Sequence, residues 1–92
     1  MRLRRYWFIT FPDNPYGPQN IGVSAYTKEE AKLLIRQLSL RDAYMALISA
    51  SLNDTTKVIE DIDIRLLDQG NVIPNMGVVT FKRIWYPSLN MS

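Results

Sequence analysis

The chain contains no cysteine and no histidine. Without cysteine there is neither a disulfide framework nor a thiolate ligand, and no oxidising compartment is required, so the cytoplasm is the expected location. The missing histidine removes the usual proton shuttle near neutral pH and the commonest metal ligand, which leaves no donor set for structural or hydrolytic zinc. Ser24, Ser39, Ser49 and Ser51 therefore have no histidine base, and none lies in a Gly-x-Ser-x-Gly elbow. Gly17, Gly22, Gly70 and Gly77 are scattered, so no glycine-rich loop is present to cradle a phosphate. No apolar run approaches the roughly 20 residues needed to cross a bilayer. The opening MRLRRYWFITF has the positive start of a signal peptide, but its apolar stretch is short, aromatic and interrupted by Thr10 and Pro12. It reads as a strand.

What remains is an ordinary soluble composition. In 92 residues, 47% apolar and 22% charged side chains suit one α+β domain spanning 1–92, with a workable but thin core. The net charge of +2 is too small to mark a nucleic-acid binder by itself. Its distribution says more: Arg2, Arg4 and Arg5 crowd one end and Lys82 and Arg83 lie near the other, with Glu60, Asp61, Asp63 and Asp68 between them. The chain is bipolar rather than basic.

Residues 3–11 are dense in β-formers and apolar on both faces, as expected for a strand in the middle of a sheet or one covered on both sides by a helix and a partner. The segment PDNPYGPQN carries three prolines, a glycine and two asparagines, so it is a loop. Residues 21–26 follow as the antiparallel hairpin partner of the first strand. Thr27-Lys28-Glu29-Glu30 is a capping box, with Thr27 accepting from the Glu30 amide and the Glu30 carboxylate reaching back to the Thr27 amide. Ala31, Leu34, Ile35 and Leu38 then repeat at the helical period, and Leu40, Ala43, Tyr44, Leu47 and Ile48 restart the stripe after Ser39-Leu40-Arg41-Asp42. One broken helical region to about residue 49 is expected, followed by a polar loop over 51–56. Residues 57–64 fit a third strand, Asp63 a cap for one turn through Leu67, and residues 78–86 a last strand stopped by Pro87. The order ββαββ gives two layers: about four mainly antiparallel strands packed on the helical region.

Three candidate chemistries follow. Asp61 and Asp63, on one face of a strand, could hold magnesium, but alternation of Asp with Ile is better read as the wet side of a half-buried strand. No metal, cofactor or catalytic residue is therefore expected. A second possibility is an anion site for nucleotides or nucleic acid, in which Arg4, Arg5, Lys82 and Arg83 grip phosphate and Trp7, Trp85 or Tyr86 stack, if the first and last strands pair. The third is a protein interface, for which Tyr16 between Pro15 and Gly17, Met76 between Asn75 and Gly77, and Trp85 with Tyr86 are the candidates. For Met76 the competing role is filling a core gap, and for Tyr16 plugging a loop over the sheet.

The run Val72-Ile73-Pro74-Asn75-Met76-Gly77, with Phe81 and Ile84-Trp85-Tyr86-Pro87, resembles the C-terminal pattern of small uncharacterised bacterial proteins. The segment Gly22-Val23-Ser24-Ala25-Tyr26-Thr27, leading straight into a capped helix, is similar to theirs as well. The resemblance implies a compact α+β domain and transfers no activity. That pattern carries a histidine before Val-x-Pro-Asn and a glycine after the basic residue, where this chain has Asn71 and Arg83, so neither missing residue is an essential ligand here.

The sequence thus leads to a non-enzymatic interaction module that acts as a homodimer and through another protein partner, in an inhibitory or sequestering role, with binding of a small anion, nucleotide or nucleic acid as the alternative. Phe81 and Trp85 are expected to share one face of the last strand and Lys82 the other. If that strand is central its aromatics are core; if it is an edge they are accessible.

Overall fold

In the computed structural model, which describes residues 2–88, four strands form one antiparallel sheet. They are β1 (Arg4–Ile9), β2 (Ile21–Ala25), β3 (Lys57–Glu60) and β4 (Arg83–Tyr86), and two helices, α1 (Lys28–Ser39) and α2 (Ala43–Ser49), follow β2. The spatial order is β3-β1-β2-β4. The hairpin of β1 and β2 is present as expected, with Tyr6 opposite Val23 and Trp7 opposite Gly22. The first and last strands, however, do not pair. β2 lies between them, because β4 runs beside β2 and β3 takes the other side of β1.

Local chemistry explains the helices. The Glu30 amide donates to Thr27 Oγ1 (3.0 Å), and the Glu30 carboxylate accepts from the Tyr26 amide (2.8 Å), one residue earlier than the capping box predicts. The helical region breaks after Ser39, and Asp42 caps α2 by accepting from the Met45 amide at 2.8 Å. Ala31 and Ile35 of α1 are buried, with Leu34 and Leu38 packed beside them. In α2 the expected stripe is displaced: Met45 is buried and Ile48 packs inward, whereas Leu40, Ala43, Tyr44 and Leu47 are exposed.

The sheet is covered on both faces. Tyr6 and Phe8 of β1 join Ile21, Val23 and Ala25 of β2 against Ala31, Ile35 and Met45. Trp7 and Ile9 face the other way and meet Ile62, Leu67, Val72, Trp85 and Tyr86. Much of that second cover is not a sheet or a helix but a strap, residues 61–79, containing two 3-10 turns, Ile64–Leu66 and Ile73–Asn75. Asp63 caps the first turn as expected, accepting from the Arg65 amide at 3.0 Å. Hydrogen bonds that fasten the strap include Ile62 N to Arg5 O (3.1 Å), Asp68 N to Tyr16 O (3.0 Å), Ser24 Oγ to Val79 O (2.6 Å) and Gly77 N to Trp85 O (2.6 Å).

All four strands are shorter than the pattern of residues predicts, β3 and β4 by the most. β3 stops at Glu60 because Asp61 adopts φ 52, a left-handed conformation that cannot continue a strand. β4 starts only at Arg83, so Phe81 precedes it and is 63% exposed rather than sharing a face with Trp85. β4 is an edge strand whose aromatics are nevertheless buried. Gly22 pairs with Tyr86 and Val23 with Ile84, so Trp85 is the extra residue of a bulge and both Trp85 and Tyr86 reach Trp7.

The Trp7 and Trp85 rings stack with centroids 5.7 Å apart. Trp7 Nε1 donates to Pro15 O at 2.7 Å, while Trp85 Nε1 is buried and has no hydrogen-bond partner among the described residues. Burying two indoles of roughly 200 Å² each is worth on the order of 10 kcal/mol before chain entropy. One unpaired donor costs about 1–3 kcal/mol. Burial wins, and the stack survives its unpaired donor.

Gly22 makes that stack possible, since a Cβ there would lie 2.4–2.6 Å from Trp85 ring atoms. Gly22→Ala should therefore cost about 1–3 kcal/mol by overpacking, which for a domain of this size lowers Tm by about 4–24 °C. Thermal unfolding followed by near-ultraviolet circular dichroism checks this, with a weakened tryptophan signal expected; an unchanged Tm would contradict the packing.

Candidate binding surface

The residues singled out from sequence do not meet on one surface. Trp7 and Trp85 are fully buried and Tyr86 is 5% exposed, with its hydroxyl donating to Pro18 O at 2.9 Å. Tyr16 and Met76 are half-buried and pack against the tryptophan cluster. Burial therefore removes Trp85 and Tyr86 from the partner-binding set, and Trp7 from a stacking role, because their rings already fill the space between sheet and strap. Tyr16 and Met76 take the positions of the loop plug and the gap filler.

The basic cluster at the start of the chain is engaged as well. Arg2 makes two hydrogen bonds to the Asp61 carboxylate (2.6 and 3.2 Å), Arg4 pairs with Glu60 (3.4 Å), and Arg5 Nε donates to Ile62 O (2.9 Å). Antiparallel pairing of β1 with β3 causes this, since Tyr6 opposite Glu60 sets the arginines beside the acidic stretch. Arg4 and Arg5 are thus separated from Lys82 and Arg83 by β2, and the four do not form one anion site.

Asp61 and Asp63 are not neighbours on a strand face. Asp61 is held below the usual carboxylate range chiefly by its hydrogen bond from Arg2. Asp63 pairs with Arg65 at 2.7 Å, and that side chain together with the Arg65 amide lowers its pKa to about 2. Each carboxylate already has its cation. No group of three or more acidic side chains that could hold a metal occurs among the described residues.

Two features remain on the outside. The first is the outer side of the helices, where Leu33, Leu40, Tyr44 and Leu47 are 49%, 82%, 46% and 73% exposed. Tyr44 and Leu47 are three apart on α2 and so are neighbours on the helix surface. Residues 43–53 contain no charged side chain, a signal visible in the sequence and compatible with either a buried or an exposed apolar stripe. The second is a cleft of about 230 Å³ between α1 and β4, floored by Leu34, Leu38, Ile84 and Pro87 and rimmed by Gln37, Arg41, Lys82 and Arg83. Lys82 pairs with Glu30 at 3.2 Å. Among the described residues the Arg41 and Arg83 guanidinium groups have no hydrogen-bond or ion-pair partner within the chain. Arg41 has no place in a reading built on the two ends of the chain, because it becomes part of this cluster only when α1 packs beside β4. No described helix is long and apolar enough to cross a membrane.

The Asp63 pair has a pH signature. Its folded pKa is depressed from 3.8 to about 2, so the stabilisation is complete above the unfolded value and disappears as pH falls through the folded one. Urea midpoints measured from neutral pH downward should lose this contribution only as pH falls from about 3.8 to about 2. Asp63→Asn should flatten that part of the acid limb; an acid limb identical to that of the parent protein would contradict the assignment.

No protein-family model matches this chain, and neither the curated proteins nor the solved structures provide a match to it, so its function is read from its own residues.

Proposed function

We propose that the protein is a non-enzymatic interaction module that pairs with a second copy of itself through the outer faces of α1 and α2. The observation that carries this reading is the charge-free stretch 43–53, beside which Leu40 is 82% exposed and within which Leu47 is 73% exposed. Single exposed leucines need no explanation on a protein surface. These differ because Tyr44 and Leu47 adjoin on one short helix with no charged side chain to hold water around them, and Leu33 and Leu40 lie two turns apart along the flank of α1.

The choice of a second copy follows from symmetry. A two-fold contact places each surface against its own image, so a charged patch repels itself and an uncharged one does not. The centre of this face meets that condition. Tyr and Leu side chains at the middle, with Arg36, Gln37 and Arg41 around them, also match the apolar-centre and polar-rim arrangement of protein interfaces. A small domain with a thin core gains from the extra burial.

Light scattering after size exclusion should find a dimer at micromolar concentrations. Leu47→Glu and Leu40→Glu, each on an exposed side chain, should shift the protein to monomer while leaving far-ultraviolet circular dichroism unchanged. A protein that stays monomeric into the millimolar range, or a dimer indifferent to both variants, would overturn the reading.

A further inference from the structure

The cations of this protein are not spent evenly. Arg2, Arg4 and Arg65 are paired with Asp61, Glu60 and Asp63, and Arg5 is bound to a backbone carbonyl. The cleft between α1 and β4 is different: Arg41, Lys82 and Arg83 stand at its rim, and among the described residues no acidic side chain lines it and only Lys82 of the three has a partner, Glu30. A larger hollow of about 320 Å³ on the other flank of α1 contains Lys32 and Arg36, but Asp54 lines it too and offsets their charge. Uncompensated positive charge therefore gathers in the β4-side cleft.

The floor restricts what that charge can hold. Leu34, Leu38, Ile84 and Pro87 offer apolar surface, and Gln37 adds one neutral amide. Guanidinium groups favour oxyanions that accept from two N–H donors, which phosphate and carboxylate do. A volume of about 230 Å³ is below the roughly 300–1,000 Å³ of sites for drug-sized ligands, so it matches a ligand of fragment size. We propose that this cleft binds a small organic phosphate, with the anionic head held by Arg41, Arg83 and Lys82 and a single apolar ring resting on Leu34, Leu38 and Ile84.

Gln37 and Arg41 border both this cleft and the proposed dimer face, whereas Leu34, Leu38, Lys82, Arg83 and Ile84 belong to the cleft alone, so Arg83→Gln separates failure of one reading from failure of the other. The test is an NMR titration of the whole chain with phenyl phosphate, inorganic phosphate and phenol. Phenyl phosphate should saturate, shift the amides of Leu38, Arg41, Arg83 and Ile84, and bind at least about ten-fold more tightly than inorganic phosphate, because head and ring are both recognised. Phenol should not saturate. Raising salt should weaken phenyl phosphate binding, since the rim is solvent-exposed and screened. Arg41→Gln and Arg83→Gln replace exposed side chains, so each should weaken binding at least about ten-fold without changing Tm. The proposal is overturned if phenyl phosphate binds no better than inorganic phosphate, if its shifts map elsewhere, or if neither variant changes its affinity. Saturable binding of a single-stranded oligonucleotide along α1 with no saturation by phenyl phosphate would overturn it as well.

Discussion

The stacking of Trp7 on Trp85 above Gly22 is the contact on which the other features of the structure depend. A four-stranded sheet with helices on one face leaves its second face open, and this chain closes it with irregular backbone rather than a second helical layer. The indole pair supplies the apolar area that makes such a cover stable, and the strap from Ile62 to Val79 lies around it. Because the ring of Trp85 occupies the space that a side chain at position 22 would take, β2 approaches the rings closely at a residue with no Cβ. The aromatic side chains are thereby committed to the interior. The surface available for function passes to the helices and to the cleft beside α1.

Charge is arranged by the same topology. Antiparallel pairing of β1 with β3 brings the arginines at positions 2 and 4 to the carboxylates at 61 and 60. Exposed pairs of this kind add little stability, but they cancel one another's field. A chain that is bipolar along its sequence becomes locally neutral at that edge once folded. Two of the cations without such partners among the described residues, Arg41 and Arg83, line the cleft where α1 packs beside β4.

Much of this was legible from local signals. The double-faced apolar pattern around Trp7 marks a strand covered on both sides, and β1 is such a strand. Thr27 with Glu30, and Asp42 before Ala43, mark helix starts because capping depends on residues a few positions apart. The paired order of the strands was not legible, since β4 reaches β2 across some sixty residues and nothing local distinguishes β2 from β1 as its neighbour. The bulge at Trp85 was hidden too, and it decides that Trp85 and Tyr86 both face inward. Alternation of Asp with Ile at 61–63 imitated a strand, while the left-handed Asp61 ends one. The period of Tyr44, Leu47 and Ile48 is helical in α2, while Leu40 falls in the turn before it, and periodicity identifies a face without saying what covers it. Among the described residues nothing covers its Tyr44 and Leu47 side, and that exposed face is the surface proposed for self-association.

The central claim is that the aromatic cluster is structural and the outer helical face is the one that binds. Hydrogen exchange measured over a range of protein concentrations tests both halves at once. Amides of α2 should become more protected as concentration rises, while those flanking Trp7 and Trp85 should be protected at every concentration. Protection that grows around Trp85 and Tyr86, with α2 exchanging at a constant rate, would contradict the account.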